Sequence, residues 1–319
     1  MSLAFVFPGQ GAQTIGMGRD LAEAYPAAKA VFDEVDDALG EKLSALIWEG
    51  EQDTLTLTEN AQPALMATSL AVVKALEAEG VWVTDASFVA GHSLGEYSAL
   101  AAAGTFSIAD AARLLRLRGK AMQAAVPVGE GAMAAILGLD IEAVTAVAAD
   151  AAEGEICTAA NDNDPAQVVV SGNKAAVERA AGLAKERGAK RALLLPVSAP
   201  FHCALMEPAA RAMEEALGQV EMHDPKVPVV SNVLARPVGD ATEIKSLLVE
   251  QVTSAVRWRE SVAWMAGEGA VTGFWELGAG KALTGMIRRI AKEAETRAVG
   301  SAADVALSLI HISEPTRRH

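Results

Sequence analysis

The sequence predicts a mainly parallel α/β fold that carries a small inserted subdomain, and three observations lead there. Short β-rich runs alternate from end to end with longer Ala/Leu-rich amphipathic stretches, the order that builds a parallel sheet covered by helices. Within that alternation one stretch runs βαββαβ, the ferredoxin-like order, bounded by Pro127-Val128-Gly129 and by Pro196. Of the 319 residues 51% are apolar and 21% charged, enough to bury one large core or two modest ones and too apolar for a disordered chain.

Short apolar runs place strands at 3–7, 88–91, 227–231 and 273–277. Helical periodicity places helices at 18–39, 61–78, 107–125, 203–217 and 281–292, and Ser107 and Asp110 form a capping pair at the start of the third. The insert reads as strand 132–137, helix 141–152, strands 156–160 and 167–171, helix 175–187 and strand 191–195. The expected division is a discontinuous larger domain of residues 1–127 and 198–307 and a subdomain of residues 128–197, with a ligand cleft between them. Residues 308–319 show no clear period and are expected to be a disordered or cloning-derived tail outside the fold.

Charge and cysteine content narrow the function classes. Lys+Arg 27 against Asp+Glu 41 gives a net charge of −14, which repels nucleic acid and anionic membrane alike, so neither is an expected partner. Cys157 and Cys203 are far apart and form no CxxC, so no disulfide framework or cysteine metal site is expected. The apolar start is too short for a signal peptide, and no uncharged run reaches the ~18 residues of a membrane helix. The expectation is a soluble, cytoplasmic protein.

Gly91-His92-Ser93-Leu94-Gly95 fits G-x-S-x-G in its required context, between an apolar strand and an Ala/Leu helix. A sharp strand-to-helix turn exposes the serine Oγ, makes Ser93 the candidate nucleophile, and leaves the Leu94 N–H free to donate to an oxyanion. A serine needs a base, and only five histidines are present. His92 should diverge from Ser93 across the turn, His223 lies in a proline-rich connection, and His311 and His319 fall in the tail. His202, in a loop between the last subdomain strand and a helix, is therefore the candidate base. Asp110, Asp140, Asp150, Asp162 and Asp164 read as caps, exposed helix positions or polar turns, and none stands out as a third triad member. A main-chain carbonyl could orient His202 instead.

On a helical wheel Arg113, Arg116 and Lys120 share a solvent-facing stripe, while Arg118 falls on the apolar face with Leu114, Leu115 and Met122. An unpaired guanidinium there is costly, so Arg118 needs a carboxylate, supplied either by the protein or by a substrate. The loop Gly9-Gln10-Gly11-Ala12-Gln13 lacks the third glycine of a dinucleotide motif, because Thr14 stands there. It remains either a second oxyanion donor or a plain β-to-α turn. Gly278-Ala279-Gly280-Lys281 misses the phosphate-binding pattern, with Trp275 at the first glycine position. No nucleotide cofactor or metal is expected.

Taken together, the Gly9–Gln13 loop, Gly91-His92-Ser93-Leu94-Gly95-Glu96, Arg118 within Leu117-Arg118-Gly119-Lys120-Ala121-Met122-Gln123, and Phe201-His202 resemble the malonyl-CoA:acyl-carrier-protein transacylases of fatty-acid synthesis. The likeness runs from about Leu3 to Leu307, with four motifs in family order and spacing. It implies a hydrolase-like α/β domain with a ferredoxin-like insertion, Ser93 as the malonyl carrier, His202 as base and acid, and Arg118 as partner of the malonyl carboxylate. It further implies an oxyanion hole from the Gln10 and Leu94 N–H groups and a main-chain carbonyl at Gln251 that orients His202. Gln62, His92 and Asn161, the last in an Asn161-Asp162-Asn163 loop, match positions lining the cleft.

The implied reaction is a ping-pong acyl transfer from malonyl-CoA to the phosphopantetheine thiol of holo acyl carrier protein. No cofactor belongs to the protein itself: CoA is the leaving group, and the phosphopantetheine belongs to the partner. The rival reading is a serine esterase or thioesterase that uses the same Ser-His pair with water as acceptor. A monomer is expected, and the Arg113/Arg116/Lys120 stripe and residues 185–191 are candidate docking patches for the carrier. Phe201 before His202 narrows the pocket in favour of small acyl units.

Overall fold

The computed structural model describes residues 1–197 and 199–313, the last three of these by backbone only. In chain order it contains β1 (Leu3–Phe7), α1 (Arg19–Ala24), α2 (Pro26–Leu39), α3 (Leu43–Glu49), α4 (Gln52–Thr56), α5 (Thr58–Ala78), β2 (Phe88–Gly91), α6 (Leu94–Ala102) and α7 (Ile108–Ala124). The insert follows as β3 (Gly131–Leu137), α8 (Ile141–Ala152), β4 (Cys157–Asp164), β5 (Gln167–Asn173), α9 (Lys174–Glu186) and β6 (Arg191–Leu194). The chain then returns with α10 (Glu207–Gly218), β7 (Val229–Val230), β8 (Pro237–Val238), α11 (Ala241–Gln251), α12 (Trp258–Ala266), β9 (Gly273–Leu277), α13 (Ala282–Ile290), β10 (Glu295–Val299) and α14 (Ala302–Ser313).

Six strands form one sheet in the order β10-β9-β1-β2-β7-β8, parallel except for the short β8. β1 lies near its centre, and its unbroken apolar sequence reflects burial on both faces. Phe5 and Phe7 point into a core shared with α2, α5 and α7, whereas Ala4 and Val6 pack with Trp258, Met265 and Phe274 on the other side. The second sheet is antiparallel, in the order β4-β5-β3-β6, which is the ferredoxin-like arrangement with α8 and α9 on one face. The mixed α/β fold class expected from the sequence is thus the one observed. Among the described residues no helix is long and apolar enough to cross a membrane.

Several local expectations need correction. The 18–39 helix is two helices, because Tyr25 before Pro26 is extended, as a residue preceding proline prefers to be. Asn161-Asp162-Asn163 is not a loop but part of β4, and Asp162 and Asp164 are buried there rather than exposed in polar turns. Their polarity is matched from the larger domain: Arg259 forks onto Asp162, with Nε 3.1 Å from both carboxylate oxygens, and Arg289 Nε lies 2.7 Å from Asp164. Backbone bonds join the same seam, from Asp162 N to Val256 O at 3.0 Å and from Val256 N to Ala160 O at 2.8 Å.

Residues 308–313 are not a tail but the last turns of α14. Ser301 and Asp304 cap that helix reciprocally, and Ser308 is fully buried with its hydroxyl donating to Asp304 O at 2.8 Å. Residues 314–319 of the expected tail lie outside the described residues.

Arg116 does not belong to an open basic stripe either. Pro63 inside α5 has no N–H, which frees the carbonyl of Glu59 four residues earlier, and Arg116 Nη1 donates to it at 2.7 Å. With Asn60 and Glu41 also bound to it, Arg116 is committed to the fold. Arg113 and Lys120 remain exposed, as do most of residues 185–191.

The seam makes a testable claim. Arg259→Ala leaves the Asp162 carboxylate buried without its partner and should lower stability by about 2–4 kcal/mol, read as a lower urea midpoint at unchanged m-value.

Candidate active site

The strand-to-helix turn between β2 and α6 holds Ser93 at φ 55°, ψ −112°, a strained conformation that only close backbone packing can enforce. The flanking glycines explain how. A Cβ on Gly91 would fall 1.8 Å from the Gly95 carbonyl oxygen, and one on Gly95 would fall 2.3 Å from that of Phe7. Asn232, in the turn after β7, secures the bend by accepting from Ser93 N at 2.9 Å and donating to Gly91 O at 2.7 Å.

Ser93 Oγ lies 2.7 Å from His202 Nε2, and His202 Nδ1 lies 2.9 Å from the main-chain oxygen of Gln251 at the end of α11. The carbonyl can only accept, so Nδ1 carries the proton and Nε2 is left to accept from the serine hydroxyl. His202, too, has a positive φ of 55°, so strained backbone holds both ends of this hydrogen bond. Burial, and then the nearby Arg118 charge, pull His202 down to about 3, which keeps its imidazole neutral.

Arg118 of α7 is buried, but no carboxylate of the described residues pairs with it. Nη1 donates to Gln62 Oε1 at 2.7 Å; Nη2 donates to Gln251 Oε1 at 2.9 Å and to Ser93 Oγ at 3.1 Å. Its Cζ sits 5.6 Å from the centre of the Tyr97 ring. Of the two partners left open by the sequence, a protein carboxylate is therefore not the one used. The guanidinium is hydrogen-bonded only to neutral oxygens among the described residues, beside the serine, and Glu96 acts on it from behind Gln251 without bonding it.

A cavity of about 280 Å³ opens over the pair, walled by Ser93, His202, Arg118 and Gln10 from the larger domain and by Met133 and Asn161 from the insert. Leu94, Gln62, His92 and Phe201 also face it, and Gln251 lies behind it as a buried support. The main-chain N–H groups of Gln10 and Leu94 donate to no described residue. His92 turns away from Ser93, as expected across the bend, and its Nε2 meets Asn163 Oδ1 at 2.8 Å across the domain seam. All nine residues singled out from the sequence thus converge on one site. Three that were not singled out join them: Thr58, Glu96 and Asn232. Glu96 was visible in the serine motif but reads there as an ordinary first-turn acid; Asn232 has no sequence signal at all.

The acyl transferase domain model matches residues 4–305. A malonyl CoA-acyl carrier protein transacylase of Bacillus subtilis is 49% identical over 313 residues, covering 98% of each chain. The chain belongs to this transacylase family. The crystal structure of the acyl-carrier-protein S-malonyltransferase from Bartonella henselae is similar at 55% identity and TM-score 0.96, with 98% of this chain and all of that one covered. A malonyl-transacylase solved in complex with its type II PKS acyl-carrier protein is similar at 44% identity and TM-score 0.94, over 98% of this chain and all of that one.

Beneath the serine, this transacylase buries a carboxyl. Glu96 Oε2 accepts from Gln251 Nε2 at 2.7 Å, which sets the Gln251 amide so that its oxygen faces Arg118. Burial pushes the Glu96 carboxyl up to about 7, against the hydrogen bonds of Gln251 and Asn232 and the Arg118 charge, which favour ionisation. An ordinary glutamate ionises near 4.5, so between that value and about 7 the folded state holds a proton that the unfolded chain releases. The stability this neutral carboxyl contributes is present below pH 4.5 and is lost as pH rises through 7. Glu96→Gln removes the dependence, so the stability of the variant relative to wild type should rise by up to about 3 kcal/mol from pH 4.5 to 8, read by urea denaturation.

Proposed function

We propose that the protein transfers the malonyl group of malonyl-CoA to the phosphopantetheine thiol of acyl carrier protein through a malonyl-Ser93 ester, supplying malonyl units for fatty-acid synthesis. The observation that carries this reading is the buried Arg118 guanidinium, 3.1 Å from the serine oxygen and with no carboxylate of the described residues bonded to it. An acyl group attached to Ser93 that ends in a carboxylate would supply the missing charge.

In the first half-reaction Ser93 Oγ attacks the thioester carbonyl while its proton passes to His202 Nε2, and the Gln10 and Leu94 N–H groups donate to the oxyanion. Collapse breaks the carbon–sulfur bond, and His202 returns the proton as CoA leaves as a thiol. In the second half the carrier thiol gives its proton to His202 and attacks the ester carbonyl, and Ser93 leaves with that proton. CoA and phosphopantetheine belong to the substrates, so no cofactor of the protein's own enters the reaction.

The same charge supports selectivity in the rate as well as in binding. Burial, and after it the Arg118 charge, make His202 resist becoming an imidazolium, and a malonyl carboxylate on Arg118 relieves the second of these. An acetyl group leaves Arg118 unpaired and the imidazolium disfavoured. This also weighs against hydrolysis of simple esters, the rival use of the Ser-His pair.

Intact-protein mass spectrometry after brief exposure to malonyl-CoA tests the reading. A malonyl adduct is expected that disappears in Ser93→Ala and is discharged by holo carrier protein; an adduct lost equally fast in water alone would indicate a hydrolase. Arg118→Ala should cut the preference for malonyl-CoA over acetyl-CoA by about 10–100-fold, measured as the ratio of kcat/KM values.

A further inference from the structure

The oxyanion loop and the carboxylate arginine are physically connected. Gln10, which lines the cavity and whose N–H donates to no described residue, has its side-chain oxygen held by the Thr58 hydroxyl, Oγ1 to Oε1 at 2.9 Å. The same Thr58 oxygen accepts from Gln62 Nε2 at 3.2 Å, and Gln62 Oε1 accepts from Arg118 Nη1 at 2.7 Å. Gln62 and Thr58 are both buried, and they lie one turn apart on α5.

The chain runs in one direction, from Arg118 as donor to Gln10 as final acceptor. A guanidinium can only donate, so Arg118 fixes the oxygen of the Gln62 amide towards itself and the NH2 towards Thr58. Thr58, receiving that hydrogen, keeps its own proton to give, and gives it to the Gln10 amide oxygen. Each bond polarises the next, the more so because Thr58 and Gln62 are buried. The scaffold is rigid where the chain runs: Gly119, next to Arg118, packs so closely that a Cβ would sit 2.7 Å from the Thr58 carbonyl oxygen. Gly9 similarly has no room for a Cβ, which would fall 2.7 Å from His92 O, so the loop is clamped at its base and directed by Thr58 at its tip.

We infer that Thr58 is a positioning residue that registers the Gln10 oxyanion donor against Arg118, so that the group reading the acyl carboxylate also sets the group stabilising the carbonyl oxyanion. This inference rests on the roles given above to Arg118 and Gln10. Its consequence is that a substrate seated correctly on Arg118 meets an oxyanion donor already aligned to its reacting carbonyl, which is where small misplacements are costly.

The test is rapid-quench measurement of Ser93 acylation by malonyl-CoA, read by intact mass, in wild type, Thr58→Val, Thr58→Ser and the Arg118→Ala background. Thr58→Val keeps the shape and removes the hydroxyl. It should lower the maximal acylation rate about 10–100-fold while the half-saturating concentration moves less than about threefold. Thr58→Ser should restore the rate to within about threefold. In the Arg118→Ala background, where the polarity of the chain is no longer imposed, Thr58→Val should cost markedly less than in wild type. If Thr58→Val fails to fold, Gln10→Leu breaks the same link from the other end while keeping the main-chain N–H, and the same loss of rate is expected. Acylation of Thr58→Val at the wild-type rate, or an equal cost with and without Arg118, overturns the inference and leaves the transacylase reading intact. Failure of wild type itself to form the adduct overturns both.

Discussion

A buried guanidinium to which no carboxylate of the described residues bonds is the constraint around which the rest of the site is arranged. Removing Arg118 from water costs far more than any one neutral hydrogen bond returns, so its surroundings must be polar, fixed and numerous. They are: Gln62 comes from α5, Gln251 from the end of α11, and the serine from the β2–α6 turn. Three separate elements are thereby held to one charge. Gln251 shows how much follows from this, since its amide serves Arg118 and Glu96 while its main-chain oxygen orients His202. The role that an aspartate would fill in a Ser-His-Asp triad is taken by a carbonyl, which fixes the tautomer without adding a charge. An anion there would partly neutralise Arg118 and weaken its claim on a substrate carboxylate.

Strain and packing supply the precision that this electrostatic arrangement needs. Ser93 and His202 both have positive φ, and their side chains meet at 2.7 Å. Neither conformation is favourable for these residue types, and Ser93 is held in its own by the close contacts at Gly91 and Gly95 and by the Asn232 side chain. The Glu96 carboxyl below them is tolerated because burial raises it to about 7 and Gln251 hydrogen-bonds it, so below that pH it orients Gln251 without adding a full charge beside the arginine.

The insert completes the cavity and is locked to the larger domain rather than merely resting on it. β4 carries three consecutive polar residues into the seam, where Asn161 faces the cavity, Asp162 meets Arg259 and Asn163 meets His92. One strand of the small sheet therefore provides both a wall of the site and the means of fixing that wall in place.

Local patterning alone determined the alternation that makes an α/β fold, the βαββαβ insert, the serine turn, and Arg118 as a cation on an apolar helix face. These depend on neighbouring residues, through pleat, helical period and glycine-permitted turns, and so are legible along the chain. The same locality explains the errors. A run of Asn and Asp resembles a turn until arginines from α12 and α13 are brought opposite it, and residues 308–313 look aperiodic until Ser308 is buried in α14. Arg116 resembles a surface charge until Pro63, 53 positions earlier in sequence, leaves a carbonyl for it to satisfy. The hydrogen-bonded chain from Arg118 to Gln10, the support of Glu96 and the pinning by Asn232 were decided only by tertiary structure. Each joins residues distant in sequence through bonds whose direction is set by which partner can donate, and no pattern along a single chain encodes that.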